Sequence, residues 1–128
     1  MCGIFFYYGK TLSEEYLKDE FNKIQHRGPD NSQIKILKYN ENILYFGFHR
    51  LSINGLDNLS NQPLINDGIY LICNGEIFNY KNLIDQYKFN NIYKTNSDCE
   101  IIIHLYKKFG IKETLNLLDG EFAFVLYD

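Results

Sequence analysis

Cys2 stands directly behind Met1 and ahead of Gly3. Removal of the methionine, which a small following side chain permits, would leave a thiol and a free α-amino group on one residue. An α-amino group has a pKa of about 8, against about 10.4 for a lysine, so near neutrality it can act as a base. A thiol with a pKa of about 8.5 is mostly protonated at pH 7 and gains from such a base during attack. One residue then supplies both nucleophile and base. The ordinary alternative is a small apolar residue opening a strand.

Three further clusters carry groups that such a nucleophile needs. Asn74-Gly75-Glu76 follows an apolar run. The Asn74 carboxamide and the Gly75 backbone N–H can both aim at a developing negative oxygen, and glycine lets the backbone come close. Asn-Gly between apolar runs is equally a hairpin signal. His49-Arg50-Leu51-Ser52 ends a strand-like segment. Arg50 can grip an α-carboxylate with two parallel hydrogen bonds, or form a surface ion pair. Asp98 follows Ser97 at a predicted helix start, where a carboxylate complements the dipole and can also face an α-ammonium, with Glu76 as partner. Each reading competes with its ordinary alternative. Together they make a nucleophile, a base, an oxyanion hole, a carboxylate clamp and an ammonium clamp, which is what a free amino acid amide requires. Gln25 to Asp30 reads as a helix stop without assigned chemistry. His26, His49 and His104 are scattered, and none is taken as a ligand or base.

The elements that must position these groups show in the hydrophobic pattern. Gly3 to Tyr8 reads as a buried strand. Ser13 can cap a helix with Leu17, Phe21 and Ile24 on one face, stopping near Arg27-Gly28-Pro29. Gln33 to Lys38 alternates, Ile43 to His49 is a second strand, and Leu56 to Pro63 is a polar loop. Ile69 to Cys73 reads as a short strand ending at Asn74-Gly75, and Tyr80 to Phe89 as a helix. Ser97 to Glu100 fits a capping box ahead of Ile101, Ile102, Leu105 and Phe109, and Gly110 stops that helix. Ile111 to Leu118 is a further short helix, and Glu121 to Tyr127 a last strand. Strands in clusters, without strict βαβ alternation, favour α+β with antiparallel sheets.

Composition bounds the rest. The 128 residues are 45% hydrophobic and 16% aromatic, enough for one domain with a real core. A net charge of −3 lacks the basic footprint of nucleic-acid binding. Three cysteines without close pairs argue against a disulfide framework and for a reducing, cytoplasmic setting, and they make a poor metal site. The start does not read as a signal peptide, and no apolar run approaches membrane-spanning length. Of thirteen Lys and Arg residues only Arg27 and Arg50 are arginine, which marks them as positions needing a planar guanidinium fork.

The strings Met1-Cys2-Gly3-Ile4-Phe5, His26-Arg27-Gly28-Pro29-Asp30, His49-Arg50-Leu51-Ser52-Ile53, Gln62-Pro63-Leu64, Asn74-Gly75-Glu76-Ile77-Phe78-Asn79, Ser97-Asp98-Cys99-Glu100 and Leu118-Asp119-Gly120-Glu121-Phe122-Ala123-Phe124 run in order along the whole chain. They resemble the class II glutamine amidotransferase domain, of the N-terminal-nucleophile hydrolase type, and most closely the glutaminase half of asparagine synthetases. The resemblance implies Cys2 as nucleophile, Asn74 and Gly75 as the oxyanion hole, and Arg50 on the glutamine α-carboxylate. It implies Asp98 and Glu76 at the α-ammonium, and backbone from Leu51 through Ser52 and Ile53 to Asn54 lining the pocket. The implied reaction passes through a γ-glutamyl thioester on Cys2, releasing ammonia and then glutamate. The implied fold is a four-layer αββα sandwich of two antiparallel sheets. Phe78, where the family has Tyr, and Asn54-Gly55, in place of a more apolar pair, are mild departures.

The family's domain continues past position 128 with further strands, and an ATP-using synthetase domain follows it. The expected unit is therefore a partial amidotransferase domain over 1–128 with the synthetase domain absent. It would use no cofactor, because ATP and Mg belong to the synthetase part, and its ammonia would pass to a separate synthetase chain. Open sheet edges would invite self-association. Two other readings remain: a non-catalytic remnant serving as a binding or interaction module, and an N-terminal cysteine hydrolase acting on another amide. Arg50 with Asp98 argues for a free α-amino acid and against the latter.

Overall fold

The computed structural model describes residues 2–10, 12–52 and 58–128. In chain order they form β1 (Gly3–Lys10), α1 (Glu14–Asn22), a 3₁₀ turn (Gln25–Arg27), β2 (Asn31–Tyr39), β3 (Asn42–Arg50), a 3₁₀ turn (Asn58–Ser60), β4 (Leu64–Asn66) and β5 (Ile69–Ile77). They continue with α2 (Tyr80–Tyr87), a 3₁₀ turn (Asp98–Glu100), α3 (Ile101–Leu117) and β6 (Gly120–Tyr127). The strands make two three-stranded antiparallel sheets, ordered β1-β3-β2 and β4-β5-β6.

The apolar run on β3 requires cover on both faces, and period-2 alternation sorts it. Ile43 and Tyr45 face α1, packing with Leu17 and Phe21. Leu44, Phe46 and Phe48 face the other way, onto Ile72 of β5, with Cys2, Ile4 and Phe6 of the β1 segment beside them. Gly47 fits the same logic, because a Cβ there would stand 2.6 Å from the Phe21 ring. On β5, Leu71 and Cys73 turn from the first sheet toward Leu83 of α2 and Ile101, Ile102 and Leu105 of α3. Three apolar layers between four structural layers give the expected αββα order: α1, sheet, sheet, then α2 and α3.

Several boundaries differ from the pattern-based expectation. Ser13 caps α1 as expected, accepting from Tyr16 N–H at 3.1 Å. The helix ends at Asn22, however, and the 3₁₀ turn covers the rest of the way to Gly28. Asn74-Gly75 is not a turn. β5 runs through it to Ile77, paired with β6 from Tyr70↔Tyr127 to Ile77↔Gly120, and that long ladder outweighs the local preference. The hairpin signal that is realised is Asp67-Gly68, both with positive φ (49° and 83°), joining β4 to β5. Ser97 makes no side-chain cap; Glu100 instead reaches past it to accept from Lys94 N–H at 2.8 Å and Thr95 N–H at 2.7 Å. Gly110 (φ 77°) separates two helical stretches within α3, as expected for a helix stop. Among the described residues, no helix is long and apolar enough to cross a membrane.

Candidate active site

Gly3 pairs with His49, so one step back along β1 puts Cys2 beside the end of β3. There its sulfur accepts from Leu51 N–H at 3.3 Å and lies 3.6 Å from Leu51 O. Arg27 Nε donates to the Cys2 carbonyl at 3.1 Å. The segment after Arg27 closes on the same strand end. Gly28 has no room for a Cβ, which would strike the backbone of His49. Asp30 N–H donates to Arg50 O at 3.0 Å, and Asp30 Oδ2 accepts from Ser52 N–H at 2.7 Å. This stretch is not merely a helix stop but a clasp that fixes Cys2, Arg50 and Ser52 relative to one another. The signal that could have found it was the scarcity of arginine.

His49 is a strut between α1 and the sheet. Its ring stacks on Phe21 with centroids 3.7 Å apart. Nε2 donates to Phe21 O at 3.0 Å, because a carbonyl only accepts, and Nδ1 shares a hydrogen bond of 2.7 Å with the Ser32 hydroxyl.

The Gly75 N–H is presented by strand parity. In a strand, the N–H and C=O of one residue point to the same edge, and those of the next to the opposite edge. Cys73 uses both groups on the β4 side, donating to Gln62 Oε1 at 2.5 Å and accepting from Gln62 Nε2 at 3.1 Å. Ile77 N–H, four residues on, donates to Asp98 Oδ2 at 2.6 Å. Gly75 lies midway and faces that same edge, beyond the reach of β4, whose pairing ends at Leu64↔Leu71. On the opposite edge Gly75 sits against Phe122 so closely that a Cβ would be 2.5 Å from Phe122 Cα. The Asn74 side chain belongs to the other parity and points, like Ile72, toward the first sheet.

Cys2, Arg50, Leu51, Asn74, Gly75, Glu76 and Asp98 line one cavity of about 150 Å³. That is smaller than the roughly 300–1,000 Å³ clefts that hold drug-sized ligands, so it suits a small metabolite. Ser52 is not in the lining; its N–H is taken by Asp30. Ile53 and Asn54 lie outside the described residues. Arg50 is buried, with Nη1 donating to Asn61 Oδ1 at 2.6 Å. Asp98 is buried, whereas Glu76 is exposed.

Asp98 is held from behind. Glu100 ties the backbone at Lys94 and Thr95 to α3 and accepts from His104 Nε2 at 2.9 Å. Burial pushes the Glu100 carboxyl up, but the hydrogen bonds from His104, Thr95 and Lys94 outweigh it and hold the group below the usual carboxylate range. The Tyr93 hydroxyl donates to Ser97 O at 2.7 Å. Burial, with the charges of Glu100 and Asp98, raises the Tyr93 phenol far above its ordinary value, so it remains a donor. A hydrogen bond with Cys73 and burial likewise push the Cys99 thiol well up. Among the described residues no three His, Cys, Asp or Glu side chains come together as a metal-binding set.

Known proteins resemble this chain along its whole length. A family model described as a glutamine amidotransferase domain matches residues 1–128. The chain is 42% identical over 134 residues to an asparagine synthetase (glutamine-hydrolysing) of Mesocricetus auratus, covering 100% of this chain and 23% of that protein. It is 41% identical to the Homo sapiens asparagine synthetase (glutamine-hydrolysing), with the same coverage. A probable asparagine synthetase (glutamine-hydrolysing) of Acanthamoeba polyphaga mimivirus is 36% identical over 132 residues, 24% of its length. The chain therefore spans about a quarter of the length of these relatives.

Proposed function

We propose that this chain, which belongs to the glutamine amidotransferase domain family of asparagine synthetase type, hydrolyses the side-chain amide of glutamine with Cys2 as nucleophile. The observation that carries the proposal is the convergence, on one small cavity, of the Cys2 sulfur, the β5 edge at Gly75, Arg50 and Asp98.

In this reading Arg50 binds the α-carboxylate of glutamine, and Asp98 with Glu76 faces its α-ammonium. The Cys2 thiol passes its proton to the α-amino group freed by removal of Met1 and attacks the side-chain carbonyl carbon. The new oxyanion is held by the Gly75 N–H and the Asn74 carboxamide. On collapse, the C–N bond breaks, the amine returns the proton to the departing nitrogen, and ammonia leaves a γ-glutamyl thioester. Water then attacks the thioester, releasing glutamate and restoring the thiol. In this reading the ammonia passes to a separate synthetase unit; the relatives are named as glutamine-hydrolysing asparagine synthetases.

The deciding experiment measures ammonia release from glutamine alongside the intact mass of the chain. The expected results are a mass without Met1, turnover by the native chain, and no turnover by Cys2→Ala, which still binds glutamine. Retained Met1 would remove the α-amine from the mechanism. Glutamine binding without ammonia release by the native chain would favour a non-catalytic binding module.

A further inference from the structure

We infer that Gln62 is a positioning residue for the oxyanion hole: its side-chain amide substitutes for a β4 residue opposite Cys73 and thereby leaves Gly75 as the free donor of that strand edge. The inference rests on the glutaminase reading above and adds to it a residue outside the nucleophile, clamp and oxyanion set.

A primary amide carries one acceptor and a donor in a plane, the same pair that a strand neighbour offers. Gln62 uses both on one residue, accepting from Cys73 N–H and donating to Cys73 O. It is itself buried, so both bonds are shielded from water. Had β4 continued as backbone, its ladder would pass Cys73 and reach Gly75, consuming the N–H that the reaction needs. With a side chain in place of backbone, pairing stops after one residue. Asp98 performs the matching task at Ile77. Among the described residues, the edge is therefore closed on both sides of Gly75 and open at Gly75. Asn61, next in sequence, holds Arg50, so two adjacent amides set the oxyanion edge and the carboxylate clamp.

A group that positions the oxyanion hole should matter to tetrahedral adducts and not to ground-state ligands. The probes are glutamate and the aldehyde analogue of glutamine, whose adduct with the Cys2 thiol carries the oxyanion. In the full chain with Gln62→Met, affinity for the aldehyde should fall at least 10-fold while affinity for glutamate changes less than 2-fold. Both are equilibrium affinities, so a partly folded sample would not produce the split. Equal changes in the two, or none, would overturn the inference.

The native chain offers a second measurement should Gln62→Met fail to fold. Amide hydrogen exchange should find the Cys73 N–H protected and the Gly75 N–H exchanging freely until the aldehyde binds. Comparable exchange at both positions, or protection of Gly75 in the free chain, overturns the inference. Native chain that turns over glutamine but shows no such contrast refutes Gln62 alone. Native chain that neither turns over glutamine nor binds the aldehyde refutes the glutaminase reading and this inference with it.

Discussion

Arg27 holds Cys2 by its carbonyl across 25 positions of sequence, through an Nε–O hydrogen bond of 3.1 Å. The bond is made by a side chain on a 3₁₀ turn to the residue proposed as nucleophile. It leaves the thiol itself untouched.

Arg27→Ala should lower kcat for glutamine hydrolysis by about 10- to 100-fold, the scale of a misplaced reacting group. KM should move little, because the proposed mechanism gives substrate binding to Arg50 and Asp98. Arg27→Lys should recover only part of the loss, since an ammonium lacks the directed Nε–H. Steady-state ammonia release from the three proteins checks this, and an unchanged kcat in Arg27→Ala would remove the positioning role.

Glu100 titrates lower in the fold than in the unfolded chain, so the folded state binds fewer protons. Its contribution to stability is complete above the ordinary carboxylate range and is lost as the pH falls through the lowered value. Glu100→Gln should therefore destabilise the protein at pH 7 by about 1–3 kcal/mol, the scale of a broken buried hydrogen-bonded charge. The gap from native protein should narrow as the pH falls below about 4. Urea unfolding of both proteins across that range is the measurement, and a gap independent of pH would contradict it.

The three thiols should separate by reactivity. Cys2 is half-buried at the cavity, whereas Cys73 and Cys99 are buried. The Cys99 thiol is further disfavoured as a nucleophile by its hydrogen bond with Cys73 and by burial. One equivalent of iodoacetamide at pH 8 should label Cys2, with Cys73 and Cys99 reacting only in denaturant. Peptide mass spectrometry reads the sites, and early labelling of Cys99 would count against the described packing.

Much of this was legible in the sequence because it depends on local pattern. The run from Ile43 to His49 announces a strand, and Ser13 announces a helix start. The candidate residues of the cavity were legible through spacing and resemblance, with Ser52 the described exception. What was hidden depends on partners far away in sequence. Asn74-Gly75 carries a turn signal as good as that of Asp67-Gly68, yet the ladder with β6 keeps it extended. Ser97 three residues before Glu100 spells a capping box, whereas the bonds of Glu100 go to Lys94, Thr95 and His104. The tasks of Arg27 and Gln62 arise only once β1, β3, β4 and β5 are assembled.

The alternation of backbone direction along β5 also limits which length changes the strand tolerates. Deleting or inserting one residue between Cys73 and Ile77 would rotate the donor set by one place, aiming the following N–H at β6 and turning the Asn74 carboxamide or its replacement to the helix side. No single substitution could repair that. Variants made by length changes should therefore fail when the change falls inside this five-residue window.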